Sequence, residues 1–152
     1  MKTTSIERLV RPTAAELDAL TALWEVSVRA THDFLSPEDI GFYRRIVREE
    51  ALPGVTLYVI RTDRNEFAAF AGTTGEMLEM LFVAPGLRGK GVGRQLTEHL
   101  IARCGVRRVD VNEQNPQAAG FYARLGFRVV SRDPFDPSGR PYPILHLALA
   151  DE

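Results

Sequence analysis

Residues 78–96, reading LEMLFVAPGLRGKGVGRQL, constrain this chain more than any other stretch. They open as an apolar strand and break at Pro85-Gly86. Glycines then follow at 89, 91 and 93, with Arg88, Lys90 and Arg94 among them, and the stretch closes as an amphipathic helix. The first amides of a helix lack intrahelical partners, and the macrodipole places partial positive charge there. Glycines at that point remove the side chains that would keep an anion from the amides. A strand feeding a basic, glycine-rich helix start therefore predicts a site for a phosphate-bearing ligand. The rest of the chain must pack around that strand–loop–helix unit.

The chain has 152 residues, the size of one domain with a real core, and its 19 Lys and Arg against 20 Asp and Glu leave a net charge of −1. That balance excludes a general nucleic-acid binder, which needs a basic excess. The basic residues at the loop are a local feature. A single cysteine, Cys104, rules out an internal disulfide and suits a cytoplasmic protein. Residues 1–8 show no apolar signal core, and no apolar run has the length of a membrane span. The expected partners include neither nucleic acid nor membrane.

Hydrophobic periodicity sets the element order. Residues 6–11 read as a first strand. Thr13 with Glu16 forms a capping box for a helix carrying Leu17, Leu20, Leu23, Trp24 and Val28. Ser36-Pro37 restarts a helix with Ile40, Tyr43, Ile46 and Val47 on its apolar face. Residues 55–60, 67–71 and 77–83 read as an antiparallel meander, with turns at 61–65 and 72–75. The helix after the glycine loop has Val92, Leu96, Leu100 and Cys104 on one stripe, and Gly105 caps it. A strand at 106–111 then runs parallel to 77–83 through a helical crossover. Asn115-Pro116 starts the last helix, and strands at 127–130 and 144–150 flank a loop at 131–143. The prediction is a single α/β domain over residues 1–152: about seven strands in a mixed, mostly antiparallel sheet, flanked by about four helices.

Three phosphate-binding patterns compete at the loop. A nucleotide P-loop fails because Ala84 stands where its first glycine belongs and Gly91 where its hydroxyl belongs. A dinucleotide fingerprint fails because its last glycine is Arg94 in one register and Leu96 in the other. Asp110 lies at a ribose-acid distance by coincidence. The third pattern, Arg88-x-x-Gly91-x-Gly93 after Leu81-Phe82-Val83-x-Pro85, resembles the acetyl-CoA loop of the GCN5-related N-acetyltransferases (GNAT). A second segment, residues 115–127, is similar to that family's Asn-x-x-Ala-x-x-Phe-Tyr-x-x-x-Gly-Phe signature position for position. Residues 30–36, 111–115 and 139–145 narrow the resemblance to small bacterial acetyltransferases of the YjaB type.

The resemblance implies acetyl-CoA as co-substrate, with no metal, and an amine acceptor that is a small molecule or a protein lysine. It implies a splay between strands 4 and 5 where the cofactor lies, and a monomer or homodimer. Gly89, Lys90, Gly91, Val92, Gly93, Arg88 and Arg94 would hold the pyrophosphate. Leu81, Phe82 and Val83 would offer main-chain hydrogen bonds to the pantetheine arm, and Asn115 a side-chain one. Transfer requires a positioned thioester, a neutral amine and a proton for the leaving thiolate. Tyr122 is the candidate acid. Glu79 is the candidate base, since strand alternation puts it with Leu81 and Val83; otherwise it is a solvent-facing edge residue. His32, Asp33, Phe34 and Tyr142 are the candidates for the acceptor site, with His32 also titratable near working pH. A catalytically silent acyl-CoA-binding domain of the same fold is the alternative.

Overall fold

Local side-chain chemistry starts the helices where the pattern places them. The Thr13 hydroxyl accepts from the Glu16 amide at 3.1 Å while the Glu16 carboxylate accepts from the Thr13 amide at 2.9 Å. Ser36 caps the next helix through the Asp39 amide at 3.1 Å, with Pro37 at its first position. The computed structural model describes residues 5–150. Residues 1–4, on which the leader reading partly rests, lie outside the described residues.

The order is β1 (Glu7–Leu9), α1 (Ala14–Thr31), α2 (Pro37–Ile46), β2 (Thr56–Arg61), β3 (Phe67–Thr74), β4 (Met77–Val83), α3 (Val92–Cys104), β5 (Arg108–Asn112), α4 (Pro116–Arg124), β6 (Phe127–Asp133) and β7 (Ile144–Leu149). A single π-helical turn, Val47–Ala51, extends α2. Among the described residues the strands form one seven-stranded sheet ordered β1-β2-β3-β4-β5-β7-β6. Its pairs are antiparallel except β4–β5. This is the mixed α/β domain expected, with several boundaries moved. β3 runs on through Thr74, because Thr74 pairs with Met77 across a tight turn at Gly75-Glu76. β6 runs to Asp133, because its ladder with β7 continues past a bulge between Val129 and Ser131.

The sheet separates two apolar layers. On one face α1 and α2 bring Leu20, Trp24, Val28 and Ile40 onto Leu57, Val59 and Phe70. On the other, α3 and α4 bring Val92, Leu96, Leu100 and Tyr122 onto Leu78, Val109, Val111 and Leu147. The α3 stripe is buried as its spacing predicts, with Cys104 only half-buried at its end.

Two irregularities of β4 shape the site. First, Gly72 pairs with Met80 but Thr73 pairs with Leu78, so Glu79 is an extra residue without a partner on β3. A bulge breaks the period-2 alternation. Leu78 consequently joins the same core as Leu81 and Val83, a face that strict alternation would deny it. The alternation that grouped Glu79 with Leu81 and Val83 is therefore corrected: it does not run through this point. Second, β4 and β5 pair only at Met77–Arg108 and Leu78–Val109. Beyond them β4 stays with β3 as far as Val83, while β5 stays with β7 as far as Asn112. The two strands part, and residues 81–83 of β4 have no ladder partner on the β5 side.

Candidate active site

The wedge between β4 and β5 ends at the glycine loop. After a 3₁₀ turn at Pro85–Leu87 the chain reaches Gly91, the N-cap of α3, at φ 81° and without a side-chain cap. That left-handed backbone favours glycine. A Cβ there would meet nothing within 4 Å, so the amides that open α3 are uncovered on that side. Gly93 is needed for closeness instead: a Cβ would lie 3.2 Å from a Val83 methyl and 3.7 Å from the Phe121 ring. The third glycine thus lets α3 sit tightly against β4 and α4.

A cavity of about 420 Å³ occupies this wedge. It brings together most of the residues singled out from the sequence: Leu81, Phe82 and Val83, Arg88, Gly89 and Gly91 to Arg94, Asn115, Tyr122 and His32. Lys90 is exposed in the loop without lining the cavity. Glu79 is exposed and off the cavity wall, where its carboxylate accepts the Thr74 hydroxyl. Arg88, Arg94 and Arg124 line the cavity, and no carboxylate does. An uncovered helix start and three guanidiniums make a site for an anion with several charges.

Tyr122 is buried on the inner face of α4, edge-on to Phe121 and Phe127 at ring distances of 5.0 and 5.6 Å. Burial raises its phenol above the ordinary value of 10, so the group stays protonated at neutral pH. Asn115 caps α4, its side-chain oxygen accepting the Ala118 amide at 3.2 Å. Its amide nitrogen then faces His32 Nε2 at 3.4 Å. His32 ends α1, and its Nδ1 lies 2.8 Å from the Thr31 hydroxyl. Burial, and next the charge of Arg88, lower the His32 pKa to about 4 against a smaller opposing pull from Asp33. The imidazole is neutral at working pH. His32, expected on the acceptor side, is part of the cavity wall.

Residues 23–140 match the family described as acetyltransferase (GNAT) domain. The chain belongs to the GNAT acetyltransferase family. It is 43% identical over 135 residues to the peptidyl-lysine N-acetyltransferase YjaB of Salmonella typhimurium, covering 87% of this chain and 90% of that protein. The solution structure of apo YjaB from Escherichia coli superposes with a TM-score of 0.85 at 40% identity, covering 99% of this chain and all of that one. A PaiA N-acetyltransferase from Thermoplasma acidophilum, solved in complex with coenzyme A, shares the fold at a TM-score of 0.74 and 19% identity, covering 98% of this chain and all of that one. This GNAT protein is thus an N-acetyltransferase.

In this acetyltransferase the remaining candidates lie beside the cavity. The Phe34 ring packs 5.2 Å from His32 and 5.7 Å from Tyr142, so a line of rings leads outward from the cavity wall. The Tyr142 hydroxyl donates to Asp39 of α2, and Tyr43 of α2 donates to Asp136 of the β6–β7 loop. Arg140 stacks on Phe42 at 3.9 Å. These contacts pin the loop to α2. Asp33 is exposed next to this line. Sequence reasoning missed Ser27, Thr31, Gln117, Phe121 and Arg124 as cavity residues. Ser27 and Thr31 carried a signal, two hydroxyls four residues apart on the core side of α1. Ser27 donates to the Val83 carbonyl at 3.0 Å, which ties α1 to β4, and Thr31 donates within α1 to the Ser27 carbonyl at 2.8 Å.

Proposed function

We propose that the cavity holds acetyl-CoA and that the acceptor is a lysine side chain of a protein or peptide. The observation that carries this is the union, in one cavity, of the uncovered start of α3, three arginines, the unpartnered β4 edge and Tyr122. The pyrophosphate sits at residues 89–94 under Arg88 and Arg94. The pantetheine arm runs along Leu81, Phe82 and Val83, extending the β4 edge as a strand would, and meets Asn115 on its other side. Its thioester reaches Tyr122. The lysine class comes from the relatives named peptidyl-lysine N-acetyltransferase, which are 43% identical to this chain over 135 and 133 residues.

In the reaction the neutral amine nitrogen attacks the thioester carbonyl within a ternary complex. A C–N bond forms, the C–S bond breaks, and the sulfur takes the Tyr122 proton. Desolvation keeps Tyr122 protonated at neutral pH, so its proton is available when the thiolate departs. The amine proton leaves through water, with Glu79 as a distant acceptor outside the cavity, and a proton from water returns to the Tyr122 phenolate, so the cycle closes with no net change in protons. The acceptor enters beside Asp33, Phe34 and Tyr142. Holding both reactants in place supplies a large part of the rate.

Thiol release from acetyl-CoA tests this. Lysine-containing peptides, N-terminal peptides, polyamines and small amines are compared, with succinyl- and propionyl-CoA as alternative donors. The expected result is CoA release with acetyl-CoA and lysine peptides, and an acetyl mass on the lysine. CoA binding without release under any amine would instead mark a silent acyl-CoA-binding domain.

A further inference from the structure

Building on the acetyl-CoA reading above, we propose that His32 is a positioning residue that sets the grip of Asn115 on the pantetheine arm. The orientation of the Asn115 amide is fixed from both ends. Its oxygen is committed to the Ala118 amide at 3.2 Å, which turns its NH₂ towards His32 Nε2 at 3.4 Å. One of the two amide hydrogens meets the imidazole and the other is left for a ligand in the cavity.

For Nε2 to accept, the imidazole must carry its proton on Nδ1. The surroundings dictate that tautomer. The Thr31 hydroxyl spends its own hydrogen on the Ser27 carbonyl at 2.8 Å, so towards Nδ1, 2.8 Å away, it can only accept. The Ser27 carbonyl also accepts from Arg88 at 3.3 Å. The sequence of bonds therefore runs in one direction: Asn115 to His32, His32 to Thr31, Thr31 to a main-chain carbonyl. It ends at an oxygen that can only accept. With Nδ1 protonated and the Nε2 lone pair facing the Asn115 NH₂ at 3.4 Å, the ring has no free lone pair for an acceptor amine, which separates this role from that of a general base. The same bonds link α4, α1 and the glycine loop around the cavity, across 83 residues of sequence between His32 and Asn115.

A double-mutant cycle tests the proposal. Acetyl-CoA affinity is measured by calorimetry for wild type, His32→Phe, Asn115→Ala and the double variant, alongside kcat, acceptor KM and melting temperature. His32→Phe keeps a ring but offers no acceptor, and should weaken acetyl-CoA about tenfold with kcat within about threefold. His32→Gln returns an acceptor oxygen and should recover most of the affinity. In the Asn115→Ala background, His32→Phe should change the affinity by less than about twofold. Thr31→Val removes the acceptor that fixes the tautomer, and carries the same cycle should His32→Phe not fold. An equal loss in both backgrounds overturns the proposal, as does an effect confined to acceptor KM. Unchanged affinity in Asn115→Ala alone overturns instead the placement of the pantetheine arm, and the proposal with it.

Discussion

Replacing Gly91 by glutamate separates the cofactor loop from every other part of the protein. Gly91 has φ 81°, and a Cβ there would meet nothing within 4 Å, so a side chain fits without collision. The cost to the fold is the left-handed backbone, about 1–2 kcal/mol. A carboxylate at the start of α3 recovers part of that, since the helix dipole favours it by about 0.3–1 kcal/mol. The variant should therefore fold. The ligand meets the opposite effect. At a separation of about 6 Å and an effective dielectric constant of about 20, the new carboxylate repels each phosphate charge by about 3 kcal/mol, more than a hundredfold in affinity. Gly91→Ala carries the strain without the charge and should weaken coenzyme A less than about tenfold. Calorimetry of both variants with CoA at two salt concentrations is the assay, since screening should shrink the gap between them. A glutamate variant that binds CoA as tightly as the alanine variant refutes the pyrophosphate assignment.

Tyr122→Phe should lower kcat by about 10²–10⁴-fold while leaving acetyl-CoA affinity within about threefold, and unchanged turnover would assign the proton to another group. Leu96 is fully buried between α3 and the sheet, so Leu96→Ala should cost about 2–5 kcal/mol in urea unfolding. His146 of β7 is held between Asp133 at 2.6 Å and Asp110 at 2.7 Å, and the Asp133 bond, then that to Asp110, raises its pKa above the ordinary 6.5. Its contribution to stability is complete below pH 6.5 and disappears as pH rises through the raised folded value. The difference in melting temperature between wild type and His146→Gln should accordingly narrow from pH 6 to pH 9, and a constant or widening gap would contradict the clamp.

Much of this site is local, and local features are legible. Thr13 with Glu16, Ser36-Pro37, Gly91 and Asn115-Pro116 each set a helix start within a few residues, so the loop and both flanking helices follow from spacing alone. The Asp110 coincidence also resolves, since its carboxylate meets His146. What was not legible depends on chain segments far apart. Glu79 looks like any alternating strand residue, because the bulge arises from how β3 and β4 pair. His32 looked like an acceptor-side group because it lies between the first two helices; its bond to Asn115 spans 83 residues. Arg124 reads as an ordinary basic residue in a last helical turn, and only the packing of α4 against the glycine loop makes it a cavity cation. The pinning of Tyr142 and Tyr43 by Asp39 and Asp136 joins α2 to a loop about a hundred residues later and has no sequence signature.

The most direct test of the central claim is a titration of ¹⁵N-labelled protein with acetyl-CoA, followed by amide chemical shifts. The amides of Leu81, Phe82 and Val83 on β4, those of residues 89–94, and the Asn115 side chain should move together on one binding curve, with the outer strands β1 and β6 unmoved. Saturable binding that leaves the β4 edge and the start of α3 unshifted would place the cofactor elsewhere and contradict the site described above.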